Sequence, residues 1–303
     1  MDIVSDVLRV TQMGNTIMSR AKFVAPWGIA VDENTKIAVH AVQRGQCWLG
    51  LEGRKPVLLE EGDIVLIAHH KPHSLSDSPD TRLTSWENTL SKCCVTDDCD
   101  VAGRAVAQLL CAKYRFRLPT THPLFSQLPS LIHLRAADAE RNPQLQLLVQ
   151  LMKAEVDGTG DGSDLVIPRL VDSLLVFILR SWLEAEPEIS ASWFAATRNK
   201  AIAAALSAIH ADPARAWTLE ALARIAGQSR ATFARQFAAL VGETPIAYLN
   251  HWRLCVAAKS IRDGSETIES IAFSSGYNSA AAFSRAFKRH YGFPPVELRQ
   301  LAS

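Results

Sequence analysis

Two sets of side chains in this 303-residue chain are of types that can do chemistry. One lies near the C-terminus. Arg230, Ala231, Ala234 and Arg235 recur in kind, fifty residues on, as Ala280, Ala281, Ser284 and Arg285, with Asn278 before them and Lys288 after. A guanidinium can bind guanine O6 and N7 bidentately, worth about 1–3 kcal/mol of discrimination, whereas alanine offers only a methyl contact to thymine. The other set lies in the first half: Cys93, Cys94, Cys99 and Cys111, with His40, His69, His70 and His73. Thiolates react with oxidants and electrophiles, and thiolates and imidazoles together bind soft or borderline cations.

The C-terminal set needs helices to present it, and the sequence writes those helices twice. Thr218-Leu219-Glu220-Ala221-Leu222-Ala223 matches Thr267-Ile268-Glu269-Ser270-Ile271-Ala272. Each begins at a threonine cap with an acid in the first turn, where the helix dipole favours it. Each reaches a glycine (Gly227, Gly276) and then a capping serine (Ser229, Ser279). The following helices carry Phe233 and Phe237, or Phe283 and Phe287, four apart and so on one buried face. Helix, glycine turn and capped helix is the helix-turn-helix plan, and two copies can lay two recognition helices in the major groove. Residues 245–261 read as a helix bridging the copies, which would hold them about one DNA turn apart, roughly 34–36 Å.

With Arg253 to Ile261, Ile271-Ala272, Gly276-Tyr277, Phe283, Phe287, Gly292 and Pro294-Pro295 in these places, residues 198–299 resemble the DNA-binding domain of the AraC/XylS family of bacterial transcription regulators. The resemblance implies base contacts at Ala231, Ala234 and Arg235, and at Ala280, Ala281, Ser284 and Arg285. It also implies double-stranded promoter DNA and RNA polymerase as partners, and a homodimer. Four of those seven positions are alanine, which leaves more of the reading to DNA shape and phosphates.

Charge divides along the same line. Residues 198–303 hold 13 Lys/Arg against 7 Asp/Glu, residues 1–197 hold 19 against 24. A basic unit joined to an acidic one fits a phosphate-binding domain with a partner that does not bind DNA. Hydrophobic content of 48% and charged content of 21% exclude a disordered chain. No stretch approaches the roughly 18–20 apolar residues of a membrane span, and Met1 to Asp6 lack the features of a signal peptide. A cytoplasmic protein is expected, and in a reducing cytosol its six cysteines are not a disulfide framework.

In the first half, short apolar runs at 37–42, 47–51, 56–59 and 64–68 read as strands of a small β-barrel or jelly roll. Residues 105–116 read as a return strand through Cys111. Ala25-Pro26-Trp27-Gly28, His40 to Gly45, Cys47-Trp48-Leu49 and Gly62 to Leu66 through Pro72-His73 resemble a cupin sensor domain. Cupins that bind metal use two histidines and a glutamate before the glycine at Gly45, but those places hold Asp32, Asn34 and Ala38; only His73 matches. No metal or other cofactor is expected. The resembled subgroup commonly has a cysteine at Cys111, and some members sense oxidants through thiols. The four cysteines therefore stand as redox sensors, as idle thiols or as a soft-metal site, while Cys47 and Cys255 read as packed. A small organic effector near Trp27, His40, Trp48 and His73 is the competing sensor reading, and a metal-dependent cupin enzyme on a DNA-binding tail is a further one.

From residue 142 the pattern is helical. Ile167, Leu170, Val171, Leu174, Leu175, Ile178, Leu179 and Trp182 form a stripe wide enough to be a dimer seam. The expected class is α+β. Residues 1–135 form a cupin-like β-barrel or jelly-roll sensor, 136–185 a helical dimerisation segment, 186–197 a linker, and 198–303 an all-α domain with two helix-turn-helix motifs. No paired carboxylates, phosphate loop or complete metal set points to catalysis. The function expected is sequence-specific transcription regulation, not enzymatic.

Overall fold

The computed structural model describes residues 3–11, 13–31, 37–69, 71–85, 106–116, 122–139, 142–158, 160–185, 193–264 and 266–302. Cys93, Cys94 and Cys99 lie outside them. The chain divides into two compact units, neither contiguous in sequence: residues 13–115 with 129–187, and residues 1–12 and 116–128 with 188–303.

Among the described residues the first unit holds ten strands: β1 (Met13–Val24), β2 (Gly28–Val31), β3 (Ile37–Arg44), β4 (Cys47–Leu51), β5 (Val57–Leu59), β6 (Ile64–Ala68), β7 (His73–Ser76), β8 (Thr84–Ser85), β9 (Val106–Phe116) and β10 (Leu131–Leu134). They form two five-stranded sheets, ordered β1-β9-β3-β6-β10 and β5-β4-β7-β2-β8. The strands expected from the apolar runs are there, and among the described residues they form two sheets around one core, the jelly-roll alternative of the expectation rather than a closed barrel. Evenly spaced short strands suit both plans; closure depends on which strands pair at the edges, a non-local choice. Inward residues alternate along the strands, as in Cys47, Leu49 and Leu51, and with Phe23, Ile29, Val65, Leu75 and Leu109 make one core between the sheets. Gly45, at φ +77°, turns β3 into β4 where a Cβ would lie 2.2 Å from the Val106 carbonyl, so only glycine fits.

Asp63 opens β6 and is buried, so it must be paired. It accepts hydrogen bonds from His133 Nε2 (2.8 Å), the Ala136 amide (2.8 Å) and the Glu60 amide (3.1 Å). Asp63→Ala would orphan all three donors. We expect it to cost about 3 kcal/mol, read as a lower urea midpoint at unchanged m-value; a loss under about 1 kcal/mol would contradict this pairing.

Helices α2 (Pro123–Ser126), α3 (Ala136–Ala139), α4 (Pro143–Asp157) and α5 (Ser163–Ala185) follow, with α2 belonging to the second unit. The stripe expected as a dimer seam is largely spent inside the first unit: Val171, Leu174, Leu175, Ile178 and Leu179 of α5 are buried, and Tyr114 of β9 donates to the Val171 carbonyl (2.5 Å). The large apolar residues left exposed on these helices are instead Leu147 and Leu151 of α4 and Leu165 and Val166 of α5.

The second unit is helical: α1 (Ile3–Thr11) and α2, then α6 (Trp193–Arg198), α7 (Lys200–Ala211), α8 (Leu219–Ile225), α9 (Arg230–Val241), α10 (Pro245–Asp263), α11 (Ile268–Ser274), α12 (Ala280–Tyr291) and α13 (Pro295–Ala302). Every expected cap forms. Thr218 and Thr267 side chains each accept from the amide three residues on at 3.1 Å, as do Ser229 at 3.3 Å and Ser279 at 3.2 Å. α8 and α11 end alike: the Gln228 amide donates to the Ala223 carbonyl and the Tyr277 amide to that of Ala272, both at 3.0 Å. Phe233 with Phe237, and Phe283 with Phe287, are fully buried at 5.5 and 5.6 Å between ring centroids.

Candidate nucleic-acid interface and sensor core

The second helix of each motif buries one face and offers the other. On α9 the phenylalanines take the inner face and leave Arg230, Ala231 and Arg235 exposed and Ala234 half-buried. On α12, Ala281, Arg285 and Lys288 are exposed, Ala280 and Ser284 are half-buried, and Asn278 is exposed just before the cap. All ten expected DNA-contact residues are thus near a helix start or on an outward face, and of them Ala280 also packs against the phenylalanine core of its motif. A guanidinium on such a face is available for a base edge or a phosphate.

The bridge between the motifs is α10, and a second arginine system fixes it. Arg253 donates to the carbonyls of Pro213 (2.7 Å), Ala214 (3.4 Å) and Arg215 (2.9 Å), which anchors α10 to the turn before α8. Gly276 closes against the same place. At φ +81° its Cβ would lie 2.7 Å from the Ala214 carbonyl and 2.8 Å from Arg253, so the turn of the second motif packs on the anchor of the first.

In the sheet unit, the sensor candidates separate. His40 on β3 is directly opposite Cys111 on β9, and His73 reaches them from the other sheet. His40 Nδ1 is 3.0 Å from Cys111 Sγ, and its Nε2 is 2.8 Å from His73 Nε2. His73 Nδ1 is 3.1 Å from the Lys71 carbonyl, which can only accept. That last contact orders the rest: neutral His73 donates from Nδ1 and accepts at Nε2, His40 donates from Nε2 and accepts at Nδ1, and the Cys111 thiol donates. Burial pushes His73 down to about 4 and holds His40 well below its usual value, with His73 and Lys113 adding to the His40 shift. Burial, then Cys47 nearby, pushes the Cys111 thiol up to about 12. The resting cluster is therefore neutral throughout.

Trp27 stacks on Phe23 at 4.2 Å in the same core, whereas Trp48 is on the face of β4 opposite to inward Cys47 and Leu49. The four expected pocket residues do not come together as one lining. Nor do the donors fit a cupin-type metal. The two ring nitrogens of His40 face different partners, so His40, His73 and Cys111 do not converge on one point. Among the described residues no group of three His, Cys, Asp or Glu can hold a metal ion. Cys47 and Cys255 are buried. The sequence had shown His40 and Cys111 separately; a histidine in an apolar strand run was the available signal for their pairing.

A further buried histidine lies in the helical unit: His122 sits beside Tyr248, Trp193 and Trp252. The signal for its burial was a histidine set among Pro123, Leu124 and Phe125, too apolar for an exposed linker.

Residues 2–184 match the cupin family and residues 222–301 the helix-turn-helix domain family. Curated relatives match over nearly the whole chain. A putative AraC-like transcription regulator of Streptomyces lividans is 31% identical, covering 99% of this chain and 98% of its own. One of Streptomyces antibioticus is 30% identical, covering 99% of each. The HTH-type transcriptional regulator AlkR of Acinetobacter baylyi is 28% identical, again over 99% of each. No helix among the described residues is long and apolar enough to cross a membrane. With a cupin-type sheet unit, two capped helix-turn-helix motifs and relatives along its full length, this chain belongs to the AraC-like transcription regulators, which bind DNA and are not enzymes.

Proposed function

We propose that this regulator reads promoter DNA with Arg230, Ala231, Ala234 and Arg235 of the first motif and Asn278, Ala280, Ala281, Ser284, Arg285 and Lys288 of the second. The signal is a small two-electron oxidant that reacts at Cys111. The observation that supports the signal is the hydrogen-bonded line from the Cys111 thiol through His40 to His73. A thiol pushed up to about 12 by burial does not ionise by itself, and Cys111 is only 1% exposed. The line supplies a way out for the proton. As sulfur attacks the electrophilic oxygen and the bond to the leaving group breaks, the thiol proton passes to His40 Nδ1. His40 passes its Nε2 proton to His73, which releases one to solvent, and the leaving group takes a proton from solvent. Sulfur gains the oxygen as a sulfenic acid, and the oxidant is reduced by two electrons.

The test uses a duplex selected from a random library by the reduced wild-type protein. Hydrogen peroxide is expected to change affinity for it at least five-fold and to leave a dimedone-reactive Cys111, and Cys111→Ser is expected to be indifferent. A Cys111→Ser protein that still responds would move the sensor to Cys93, Cys94 or Cys99. A wild type that ignores the oxidant would end the redox reading.

A further inference from the structure

Two pieces of chain that flank the sheet unit in sequence are built into the helical unit: α1 and residues 122–128. α1 ends at Thr11 and β1 begins at Met13; β9 ends at Phe116, and His122 follows after residues 117–121. β1 and β9 are neighbours in one sheet, and β9 carries Cys111.

Within the helical unit these pieces are held by directed polar contacts. The Leu124 amide donates to His122 Nδ1 (3.1 Å), so neutral His122 carries its proton on Nε2, which is 3.2 Å from the Tyr248 hydroxyl. Tyr248 then donates to His210 Nε2 (2.7 Å), and His210 Nδ1 faces Asp6 of α1 at 3.8 Å. Tyr248 is on α10, the helix that joins the two motifs. Gln127 spans two more elements: its Oε1 accepts from the Trp193 amide (2.5 Å), and its Nε2 donates to the Val241 carbonyl (2.8 Å). Val241 is the last residue of α9, where carbonyls lack helical partners, so Gln127 finishes the first recognition helix. Arg262, near the end of α10, donates to the Val10 carbonyl of α1 (3.1 Å).

We propose that α1 and residues 122–128 are a strap through which the sensor strands set DNA affinity, the docked strap holding α9 and α10 in the arrangement that binds DNA. The proposal rests on the promoter-binding reading of the helical unit, not on the identity of the signal. The docked strap touches the C-terminal end of α9 and one side of α10, while Arg230, Ala231 and Arg235 at the other end of α9 remain exposed. It is therefore a positioning device and not a plug over the DNA face. Both of its segments connect by short covalent links to β1 and β9, so a shift of either strand acts on it directly. Coupling between two sites in proteins commonly amounts to about 5- to 150-fold in affinity, and it is reciprocal.

Reciprocity supplies the test. In the full chain, amide exchange of residues 124–128 and α1 is measured with and without the selected duplex. DNA is expected to slow exchange at least five-fold in both segments. Gln127→Ala, at a half-buried side chain, and Tyr248→Phe, which removes only the bridging hydroxyl, are each expected to weaken duplex binding about 5-fold or more. They should also abolish the DNA-linked slowing. A purely structural role would lower the melting temperature and leave that linkage intact. Exchange unmoved by DNA, with wild-type affinity in Gln127→Ala, overturns the strap alone. A wild type that selects no duplex from the library sinks the promoter-binding reading and the strap with it.

Discussion

Replacing Arg235 and Arg285 together by alanine is expected to remove selective DNA binding while leaving the protein folded. Both side chains are exposed on the outward faces of α9 and α12, one per motif, so neither contributes to the phenylalanine cores beneath. Each bidentate contact to guanine is worth about 1–3 kcal/mol, and the two sites are separate enough to add. The loss in preference for a selected duplex over a scrambled one should therefore be roughly 30-fold to 10⁴-fold. Four of the seven positions proposed to face bases are alanine, so on that reading direct hydrogen-bond readout is thin and this pair would carry most of it. Lys288→Ala should behave differently. Losing a phosphate contact weakens specific and non-specific binding alike and lowers the salt slope by about 1. Fluorescence anisotropy on both duplexes at several salt concentrations separates the two outcomes. A double variant that keeps its preference would show that the arginines do not read bases.

Acid is expected to destabilise both units through buried histidines. Burial holds His40 well below its usual value and His73 at about 4 in the sheet unit. In the helical unit burial holds His122 well below and His210 at about 3. In the unfolded chain each would titrate near 6.5. Below that pH the unfolded state binds protons that the folded state refuses, so stability falls as pH falls, and it stops falling only near the folded-state values. Relative to pH 7.5, each group costs on the order of 1 kcal/mol at pH 5.5, hence about 2–3 kcal/mol in the sheet unit, whereas in the helical unit about half of that loss is offset by His251. His251 runs the other way. Burial lowers it, but hydrogen bonds with Cys255 and Glu243 outweigh this and raise it to about 9, so its contribution is complete below 6.5 and is lost as pH rises through 9. Urea titrations at pH 7.5 and 5.5, followed by hydrogen exchange to read each unit, should show both midpoints lowered at the acid pH. Equal midpoints would mean that these imidazoles accept protons in the native state.

That neutrality also bears on signalling. The sheet cluster is held together by one direction of donation, from thiol to His40 to His73 to the Lys71 carbonyl. Oxygen added at Cys111 replaces the weak donor at the head of the line by a larger hydroxylated group in a packed core, where extra volume forces displacement of its neighbours. β9 bears Cys111, and β9 is the strand that leads toward His122.

The helical half was legible because its signals are local. Thr218, Gly227, Ser229 and the Phe233–Phe237 pair fall within twenty residues, the caps acting on amides three positions on and the phenylalanines by burial of one face. Capping, glycine at positive φ and a four-residue apolar spacing specify the motif without reference to the rest of the chain. The repeat at Thr267, Gly276, Ser279 and Phe283–Phe287 then makes it specific. The strands were legible for the same reason, through alternation and turn residues.

What the tertiary structure decided is everything that depends on pairing across long separations. His40 meets Cys111 across 71 residues, and His122 meets Tyr248 across 126. Strand register and sheet edges decide the first, and the same strand pattern is compatible with a closed barrel or with the two sheets observed. The α5 stripe shows the complementary point: periodicity reveals that a face is apolar, but only packing decides whether a second copy or the chain's own sheet covers it. Local capping and periodicity thus sufficed for the DNA-binding plan, whereas the sensor cluster and the strap arise from contacts whose partners no window of sequence contains.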